Sequence, residues 1–493
     1  MLRRAIAAVV FLTTLVRAQQ PDTKTAVASL TRDIPALMQQ ADIPGLSIAL
    51  IENGRTEWLR SFGTVDPNAP ANSAPVTDHT RFSAASLSKP VFAYAILKLV
   101  DQGKLDLDTP LTHYWSADSP YPVDPANDPR LSQITARIVL SHRTGFPNWR
   151  PDGKPLQIFF TPGSRFSYSG EGYVYLQRTV ERIEGKPLNQ IMQELVFTPL
   201  GMNDSTYISQ AGSGTTPGYS SSLKPRDPIK SLDGNAASSL LTNAHDYALF
   251  VEAILNGRGL KPATLQQMET PQIAVDPTCT NCADRPAPTT LSREIFWGLG
   301  WGIEQTSTGK YLWHWGDNPN YKAFVSVDLN HRNAVVVFTN SQNGLSIARN
   351  IVADAIGGDH PVFHWHHYEP YDSPSFRFTH DIVHTGAQAL TTHATDLQQH
   401  LIPEDTLESA GYILLYDQKK YDDAIAVFTR NVELYPDNGN AHASLGEGYM
   451  VAGNKPLAIK SFERALDLAP NSNFVKSQLA KLHASDSKSE AAH

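Results

Sequence analysis

The sequence is poor in cysteine and has no concentration of positive charge. Two of its 493 residues are cysteine, and 41 lysines and arginines stand against 49 aspartates and glutamates, which gives a net charge of −8. Nucleic-acid binding depends on basic patches that neutralise phosphates, so this balance argues against a nucleic-acid partner. Two cysteines with no further ligands nearby also do not make a structural zinc site.

The motifs of several large enzyme classes are also absent. The chain has no P-loop, no Gly-x-Gly-x-x-Gly dinucleotide fingerprint, no His-Glu-x-x-His zinc motif and no Gly-x-Ser-x-Gly nucleophile elbow. We therefore expect no cofactor. Three histidines lie close together at His364, His366 and His367. No acidic pattern surrounds them, so we expect no metal there either.

The N-terminus reads as a secretory signal peptide over residues 1–18. Arg3 and Arg4 precede an apolar run over 5–16 and a small-residue cleavage site that ends at Ala18. The run is short for a membrane span, although an uncleaved anchor is the alternative. We therefore expect an exported protein, periplasmic or secreted, with no membrane span after cleavage. In that compartment Cys279 and Cys282 are expected to close a small disulfide loop rather than form a redox motif.

Hydrophobic patterning predicts an antiparallel sheet built from both ends of one large region. An Asn-Gly turn joins two strands near the start, over 45–51 and 56–62, and four more strands follow over 300–339. Between them, residues 104–239 alternate short helical stretches with loops, with no convincing strand pair. We therefore predict an α/β (α+β) domain in which helices flank the sheet, with a mainly helical insertion.

The C-terminal part repeats itself with a period of 34 residues. Ala424, Phe428, Leu434 and Pro436 recur as Ala458, Phe462, Leu468 and Pro470. This pattern resembles tetratricopeptide repeats, with a simple helical hairpin as the alternative. We assign a connector to 366–404, repeats to 405–485 and a tail to 486–493. Such scaffolds bind partners on a concave face, so a protein partner is expected there.

The chemistry centres on Ser86 and Lys89, at the start of an apolar helical run over 91–100. Residues three apart lie on one face of a helix, so the hydroxyl and the amine are neighbours. A serine hydroxyl needs a base, and lysine can serve if burial or positive charge lowers its pKa. The pattern is weak alone, because an ordinary helix start has the same residues.

Two later stretches add to this pattern. Tyr168 lies in a Gly/Ser-rich loop before a helix, and a phenol beside a lysine ammonium has a lowered pKa and can act as a general base. Trp313–Asp317 ends an aromatic strand, and Gly316 there would let a ligand lie close to the strand. A third stretch, Ser141–Gly145, is interpreted as structural. Buried packing is the alternative interpretation for both Tyr168 and His314.

Together these stretches resemble the serine β-lactamase and penicillin-binding-protein family, in its class C-like branch. That branch contains class C β-lactamases, D-Ala-D-Ala carboxypeptidases, D-aminopeptidases and β-lactamase-like esterases. The resemblance covers about residues 25–357 and includes the spacing between motifs and the stretches 140–145, 198–202 and 297–302. It implies a β-lactamase/transpeptidase-like hydrolase domain, which we assign to 19–365.

The resemblance also implies a role for each residue. Ser86 would be the acylated nucleophile, Lys89 its proton acceptor and Tyr168 the second base, which activates water for deacylation. His314-Trp315-Gly316 would be the third motif of the family, on the sheet edge. The oxyanion hole would be the backbone N–H groups of Ser86 and Asp317.

Two positions depart from the family pattern. The second motif is usually Tyr-x-Asn, and here Ser169 and Gly170 follow the tyrosine, so the substrate-binding amide is missing. The third motif begins with His314 instead of lysine, and an ordinary histidine is mostly neutral at pH 7. Both changes weaken recognition of β-lactams. We expect a hydrolase for an ester or small peptide-like amide. The alternatives are a peptidoglycan- or penicillin-binding sensor with little turnover, or a true β-lactamase or D-Ala-D-Ala carboxypeptidase.

Overall fold

The computed structural model describes residues 21–68, 73–115, 121, 128–209, 214–227 and 230–490. The predicted signal peptide over 1–18 lies outside these residues, as does the end of the predicted tail over 491–493. None of the helices in the described ranges is both long enough and apolar enough to cross a membrane.

An antiparallel sheet of eight strands lies at the centre of the molecule, as the sequence predicts. The strands of the described residues are β1 (Gly45–Glu52), β2 (Arg55–Gly63), β3 (Phe82–Ser83), β4 (Gly218–Tyr219), β5 (Pro225–Arg226), β6 (Leu241–Thr242), β7 (Ile273–Ala274), β8 (Ile295–Trp297), β9 (Gly302–Gln305), β10 (Lys310–Asn318), β11 (Tyr321–Asp328) and β12 (Asn333–Thr339). The large sheet has the order β2-β1-β12-β11-β10-β9-β8-β7, and β3 pairs separately with β6. Both ends of the chain region therefore contribute strands.

Helices cover both faces of this sheet and make up the C-terminal part. The helices of the described residues are α1 (Thr23–Gln40), α2 (Ser88–Asp101), α3 (Ala136–Leu140), α4 (Gly170–Glu184), α5 (Leu188–Met192), α6 (Thr198–Leu200), α7 (Ala244–Leu255), α8 (Pro262–Met268), α9 (Ala348–Ile356), α10 (Val362–Trp365), α11 (Pro374–Thr385), α12 (Ala389–Thr392), α13 (Ala394–Gln398), α14 (Glu404–Tyr412), α15 (Tyr421–Leu434), α16 (Gly439–Val451), α17 (Lys455–Leu468) and α18 (Asn473–Glu490). Short 3₁₀ and π segments join several of them.

The sheet separates two cores, because alternate residues of a strand point to opposite faces. In β12, Val336 and Phe338 pack in the core beside α2 and α7. Val335 and Val337 pack in the other core, beside α1 and α9. Since both faces are covered, β12 is a continuous run of β-branched and apolar residues rather than an alternating pattern.

Several predicted boundaries shift in the structure. The predicted helix at Ser86 begins as a 3₁₀ turn over Ala85–Leu87, and the α-helix proper begins at Ser88. The N-cap of α7 is Asn243, one residue after Thr242. The Asn243 side chain accepts a hydrogen bond from the backbone N–H of Asp246 at 2.9 Å, and asparagine is a better helix cap than threonine.

Some short elements were missed by the sequence analysis. The predicted helical insertion contains the strand pair β4 and β5, where no strand pair was predicted. The sheet also extends beyond β9 through β8 and β7. Strands of two or three residues are too short for an alternating pattern to be recognised.

The predicted connector contains several helices. Two short ones, α12 and α13, are separated at His393. A longer helix, α11, precedes them and was missed. Its start carries a recognisable signal, since Ser373 caps it and Pro374 occupies its first position.

Helices α14 to α18 pack one after another along the chain. Phe428 and Phe462, which are equivalent in the 34-residue pattern, are both completely buried. Each lies over a glycine of a neighbouring helix: a Cβ on Gly411 would lie 2.3 Å from the Phe428 ring, and one on Gly446 would lie 2.9 Å from the Phe462 ring. This arrangement is compatible with the predicted repeats, and their identity as tetratricopeptide repeats stays a prediction.

Replacing Phe462 by alanine tests whether the C-terminal helices unfold independently of the sheet. Phe462 packs with Ala458, Ala465 and Val475 in a core of its own. The substitution should destabilise α16–α18 by about 3–5 kcal/mol, the usual cost of removing a buried phenylalanine. We expect faster amide hydrogen exchange there and unchanged exchange in β11 and β12.

Phe338→Ala is the matched control, because Phe338 is equally buried but lies in the sheet core. It should accelerate exchange in the sheet strands. Equal acceleration in both regions by Phe462→Ala would mean that the chain unfolds as one cooperative unit.

Candidate active site

The turn that carries Ser86 is held in an unusual backbone conformation. Ala85, just before the serine, has a φ of 48°, which is the left-handed region that residues other than glycine rarely adopt. Ser88 stabilises the turn, since its hydroxyl donates to the Ala85 carbonyl at 2.6 Å and accepts from the Leu240 N–H at 3.0 Å. Ala85 and Leu87 are buried while Ser86 is partly exposed. The turn therefore presents the Ser86 side chain outward from a fixed base.

Lys89 lies one helical turn further on, as predicted, and is completely buried. Its Nζ lies 3.1 Å from the Ser86 Oγ and donates to the Ala237 carbonyl at 2.7 Å. No carboxylate of the described residues forms an ion pair with it. Burial lowers the pKa of the Lys89 amine well below its ordinary value. This shift favours the neutral form of the Lys89 amine, whose lone pair could accept the serine proton.

Tyr168 forms the other wall of this pocket. Its backbone N–H donates to the Thr280 carbonyl at 2.9 Å, and the Lys89 Nζ lies 4.7 Å from the centre of its ring. Burial raises the pKa of the Tyr168 hydroxyl well above its ordinary value, and the nearby Ser86 hydroxyl offsets a small part of that increase. The predicted lowering by a lysine ammonium is wrong, because desolvation by burial is the largest cause and raises the pKa of Tyr168. The Tyr168 hydroxyl therefore stays protonated in the resting protein. It can relay a proton, but it is not a phenolate.

His142 is a site residue that sequence analysis interpreted as structural. Its ring stacks on Tyr168 with centroids 4.1 Å apart and packs near Tyr173. Its Nδ1 accepts the backbone N–H of Ser169 at 2.9 Å, so the proton is on Nε2. Burial is the main cause that lowers the pKa of His142 well below its ordinary value, with the nearby Lys89 as a second cause. His142 is thus a neutral ring that holds the Tyr168 loop in place.

His314 is also neutral and completely buried. Its Nδ1 donates to the Trp315 carbonyl at 2.8 Å, so Nε2 keeps a free lone pair, and this atom is buried without a hydrogen-bond partner among the described residues. Burial lowers the pKa of His314 well below its ordinary value, with Lys89 as a second cause. His314 therefore offers a hydrogen-bond acceptor where the family lysine would offer a positive charge.

The glycine of the third motif makes a close contact within the protein. A Cβ on Gly316 would lie 2.4 Å from the carbonyl oxygen of Ala84. Gly316 thus lets strand β10 approach the turn that holds Ser86, and the predicted close approach of a ligand stays a prediction. Beyond Trp313 the strand no longer pairs with β9, so residues from His314 onward present an open edge.

The two residues after Tyr168 are used within the protein. The Ser169 hydroxyl caps α4 by accepting from the Gly172 N–H at 3.0 Å and donates to the Pro147 carbonyl at 2.9 Å. Ser169 was predicted as a substrate contact, but its hydroxyl is occupied by these bonds. The backbone N–H of Gly170 donates to the side-chain oxygen of Asn148 at 3.0 Å. An amide side chain therefore does stand beside this position, but it comes from a different loop.

Trp149 occupies the space that a side chain at position 170 would need. A Cβ on Gly170 would lie 2.7 Å from the Trp149 ring, which is itself 46% exposed. Trp149 also lines a cavity of about 470 Å³, together with Phe159 and Asn281. At the position where the family pattern has an asparagine, the Trp149 ring therefore packs against Gly170 in the Tyr168 loop.

Asp317 lies at the end of the open edge of β10. Its carboxylate pairs with Lys322 and accepts a hydrogen bond from the Tyr368 hydroxyl. Nearby, the ring of His366 lies 4.0 Å from that of Trp315, and burial lowers the pKa of His366 to about 3. The segment after α10 thus packs against the third motif, which the sequence did not indicate.

Comparison with known proteins places the chain in a family. The beta-lactamase family model matches residues 30–356, and the chain belongs to this family. Esterase EstB of Burkholderia gladioli is 30% identical over 214 residues, which are 37% of this chain and 53% of that protein. D-alanyl-D-alanine-carboxypeptidase/endopeptidase AmpH of Escherichia coli K12 is 27% identical over 215 residues, 39% of this chain and 54% of that protein. The chain therefore spans about half the length of these curated relatives.

Solved structures share the fold. The octameric penicillin-binding protein homologue from Pyrococcus abyssi superposes with a TM-score of 0.55 at 23% identity, over 66% of this chain and 76% of that chain. This likeness confirms the predicted β-lactamase/transpeptidase-like architecture of the sheet domain. The disulfide between Cys279 and Cys282 is present, as predicted.

The reactivity of Ser86 should depend on pH through Lys89. At low pH the protonated amine cannot accept the serine proton, so reaction with a fluorophosphonate should be slow and should rise with pH to a plateau. Because burial lowers the pKa of Lys89, the midpoint should fall well below the ordinary value of about 10.4. Rates of labelling measured by intact mass across the pH range give this midpoint.

Lys89→Arg is the matched variant, since its guanidinium stays protonated at every accessible pH. It should react slowly throughout and lose the pH dependence. A midpoint near the ordinary lysine value in the unmodified protein would contradict a neutral buried amine.

Proposed function

We propose that the protein is a serine hydrolase that forms an acyl-enzyme on Ser86. The observation that carries this proposal is the fully buried Lys89 amine, 3.1 Å from the Ser86 Oγ and without a carboxylate partner among the described residues. A lysine buried in this way costs free energy unless it is neutral. A neutral amine beside a partly exposed hydroxyl is the pairing that nucleophilic catalysis requires.

In the proposed acylation step, the Ser86 Oγ attacks the substrate carbonyl carbon and its proton moves to the Lys89 Nζ. The carbonyl oxygen takes the negative charge, and the backbone N–H groups of Ser86 and Asp317 stabilise it. When the bond to the leaving group breaks, the proton passes from Lys89 through the Tyr168 hydroxyl to the departing atom. This leaves an ester on Ser86.

In the proposed deacylation step, water attacks the ester carbonyl. Its proton is taken by the relay of Tyr168 and Lys89, and the Ser86 Oγ leaves as the acid product forms. The proton then returns to Ser86. His142 supports this relay as a positioning residue, because it stacks on the Tyr168 ring and holds the backbone of Ser169.

An ester is the substrate class that these surroundings favour. His314 brings no positive charge for a substrate carboxylate, since burial keeps it neutral. The exposed rings of Trp149 and Phe159 offer apolar surface for an acyl or aryl group. The relative named Esterase EstB supports the same class.

A peptide-like amide is the second candidate. The Asn148 amide beside Gly170 could bind an acyl amide of such a substrate, and one relative is named a D-alanyl-D-alanine-carboxypeptidase/endopeptidase. A sensor without turnover is less well supported, because Ser86, Lys89 and Tyr168 are all in place.

The export and partner predictions stand as further proposals. The disulfide between Cys279 and Cys282 fits an oxidising compartment outside the cytosol. For the predicted repeats, the exposed side chains of Tyr416, Tyr421 and Phe474 supply apolar surface that suits a protein partner.

Covalent labelling tests the nucleophile. Ser86→Ala should abolish labelling by a fluorophosphonate and all ester hydrolysis, because among the described residues Ser86 is the serine whose hydroxyl lies beside the Lys89 amine. Intact-protein mass spectrometry measures the adduct. Labelling at full extent in this variant would refute the assignment.

Ser88→Ala is the matched control from the same turn. Its hydroxyl is used in hydrogen bonds to Ala85 and Leu240, so the variant should be less stable but still labelled at Ser86. A thermal unfolding curve recorded for both variants separates loss of folding from loss of the nucleophile.

Substrate class is tested by comparing esters with β-lactams. Short-chain aryl esters should be hydrolysed, and penicillins and cephalosporins should be poor substrates by kcat/KM. The reason is the neutral His314 and the missing side chain at Gly170. Comparable kcat/KM values on both classes would contradict our interpretation of these two positions.

A further inference from the structure

A cluster of three metal-binding side chains lies apart from the residues of the active site. Asp42, His380 and His384 each offer one ligand atom, and these atoms all lie within 4.8 Å of one another. Within the described ranges this is the one group of at least three His, Cys, Asp or Glu residues that meets this criterion. The proposed mechanism at Ser86 does not use these residues.

The fold places the three residues together from two distant segments. His380 and His384 are four residues apart on α11, so they share one helix face, and their rings lie 4.5 Å apart. Asp42 lies in the turn between α1 and β1 with a φ of 50°, in the left-handed region. Its side chain is 12% exposed and points at both histidines.

We propose that Asp42, His380 and His384 bind a divalent transition metal ion, with Zn²⁺ as the best match. The Asp42 Oδ2 lies 2.8 Å from the His384 Nε2 and 3.6 Å from the His380 Nε2. Ligands about 2.1 Å from a tetrahedral zinc ion lie about 3.4 Å from one another. Small side-chain adjustments would therefore bring all three atoms to ligand distance.

A neighbouring carboxylate orients one of the ligands. The Nδ1 of His380 lies 3.1 Å from the Asp381 carboxylate, which fixes the proton on Nδ1 and leaves the Nε2 lone pair towards Asp42. Metal-binding histidines commonly have such a carboxylate partner on the other ring nitrogen. Asp381 is itself held by His393, whose Nε2 lies 2.9 Å from its second oxygen.

The ligand set decides the type of metal and its role. Two imidazoles and one carboxylate favour zinc and its neighbours over Ca²⁺ and Mg²⁺, which prefer oxygen ligands. The His384 side chain is 43% exposed, which leaves room for a water molecule as fourth ligand. Because Asp42 belongs to the sheet domain and the histidines to α11, a bound ion would join the connector to that domain.

Titration of the untagged full-length protein tests the site. Zn²⁺ should bind with one ion per chain at micromolar or tighter affinity by calorimetry, and Co²⁺ should give the visible absorption of a tetrahedral nitrogen and oxygen site. Saturating Zn²⁺ should raise the unfolding temperature. His384→Ala should abolish all three signals. Absence of binding in the unmodified protein would overturn the proposal and leave an ordinary cluster of histidine–aspartate pairs.

Two variants separate this site from others. Asp381→Asn keeps the ligands but weakens their orientation, so affinity should fall by about 10–100-fold. His364→Ala removes an exposed histidine from the other cluster and should leave the affinity unchanged. Loss of binding in His364→Ala with retention in His384→Ala would place the metal elsewhere and refute the assignment. These readouts are independent of hydrolysis at Ser86.

Discussion

The burial of one lysine amine without a countercharge is the constraint on which the site depends. Lys89 is completely buried, with its Nζ 4.7 Å from the centre of the Tyr168 ring, and this burial favours the neutral form of the amine. The unfolded chain binds a proton that the folded chain lacks at every pH between the lowered pKa and about 10.4. At neutral pH this difference in bound protons lowers the free energy of unfolding. The reduction in the free energy of unfolding becomes smaller as the pH rises towards about 10.4. The rest of the fold offsets that cost.

Close approach between the strand and the turn is the second requirement. The left-handed Ala85 and the bonds of Ser88 fix the Ser86 turn, and Gly316 has no side chain to hold β10 away from it. The fixed Ser86 turn and the missing side chain at Gly316 are both features of the protein alone. Together they set the distance between Ser86 and the edge of β10. This distance must be constant if two backbone N–H groups are to stabilise one oxygen.

The sequence could predict those features that depend on local spacing. The pairing of Ser86 with Lys89 follows from positions three apart on one helix turn, and long strands are recognised by their runs of β-branched residues. Features that depend on tertiary contacts could not be predicted from the sequence. The direction of the Tyr168 pKa depends on complete burial, and Asn148 reaches Gly170 from a loop 22 residues away. Nothing local distinguishes His142 from a structural histidine, since its role arises from stacking on a ring that the fold brings to it.

The predicted boundary between the hydrolase domain and the connector lies at residue 365. Residues just after this boundary contact the third motif. Tyr368 binds the Asp317 carboxylate, and His366 packs on Trp315, both in or beside the third motif. Further on, Asp417 pairs with Lys224 at 3.3 Å and accepts from Ser222 at 2.8 Å. Asp317 is also the residue whose N–H we propose for the oxyanion hole, so the connector packs directly beside the proposed site. The C-terminal helices in turn contact the sheet domain through Asp417.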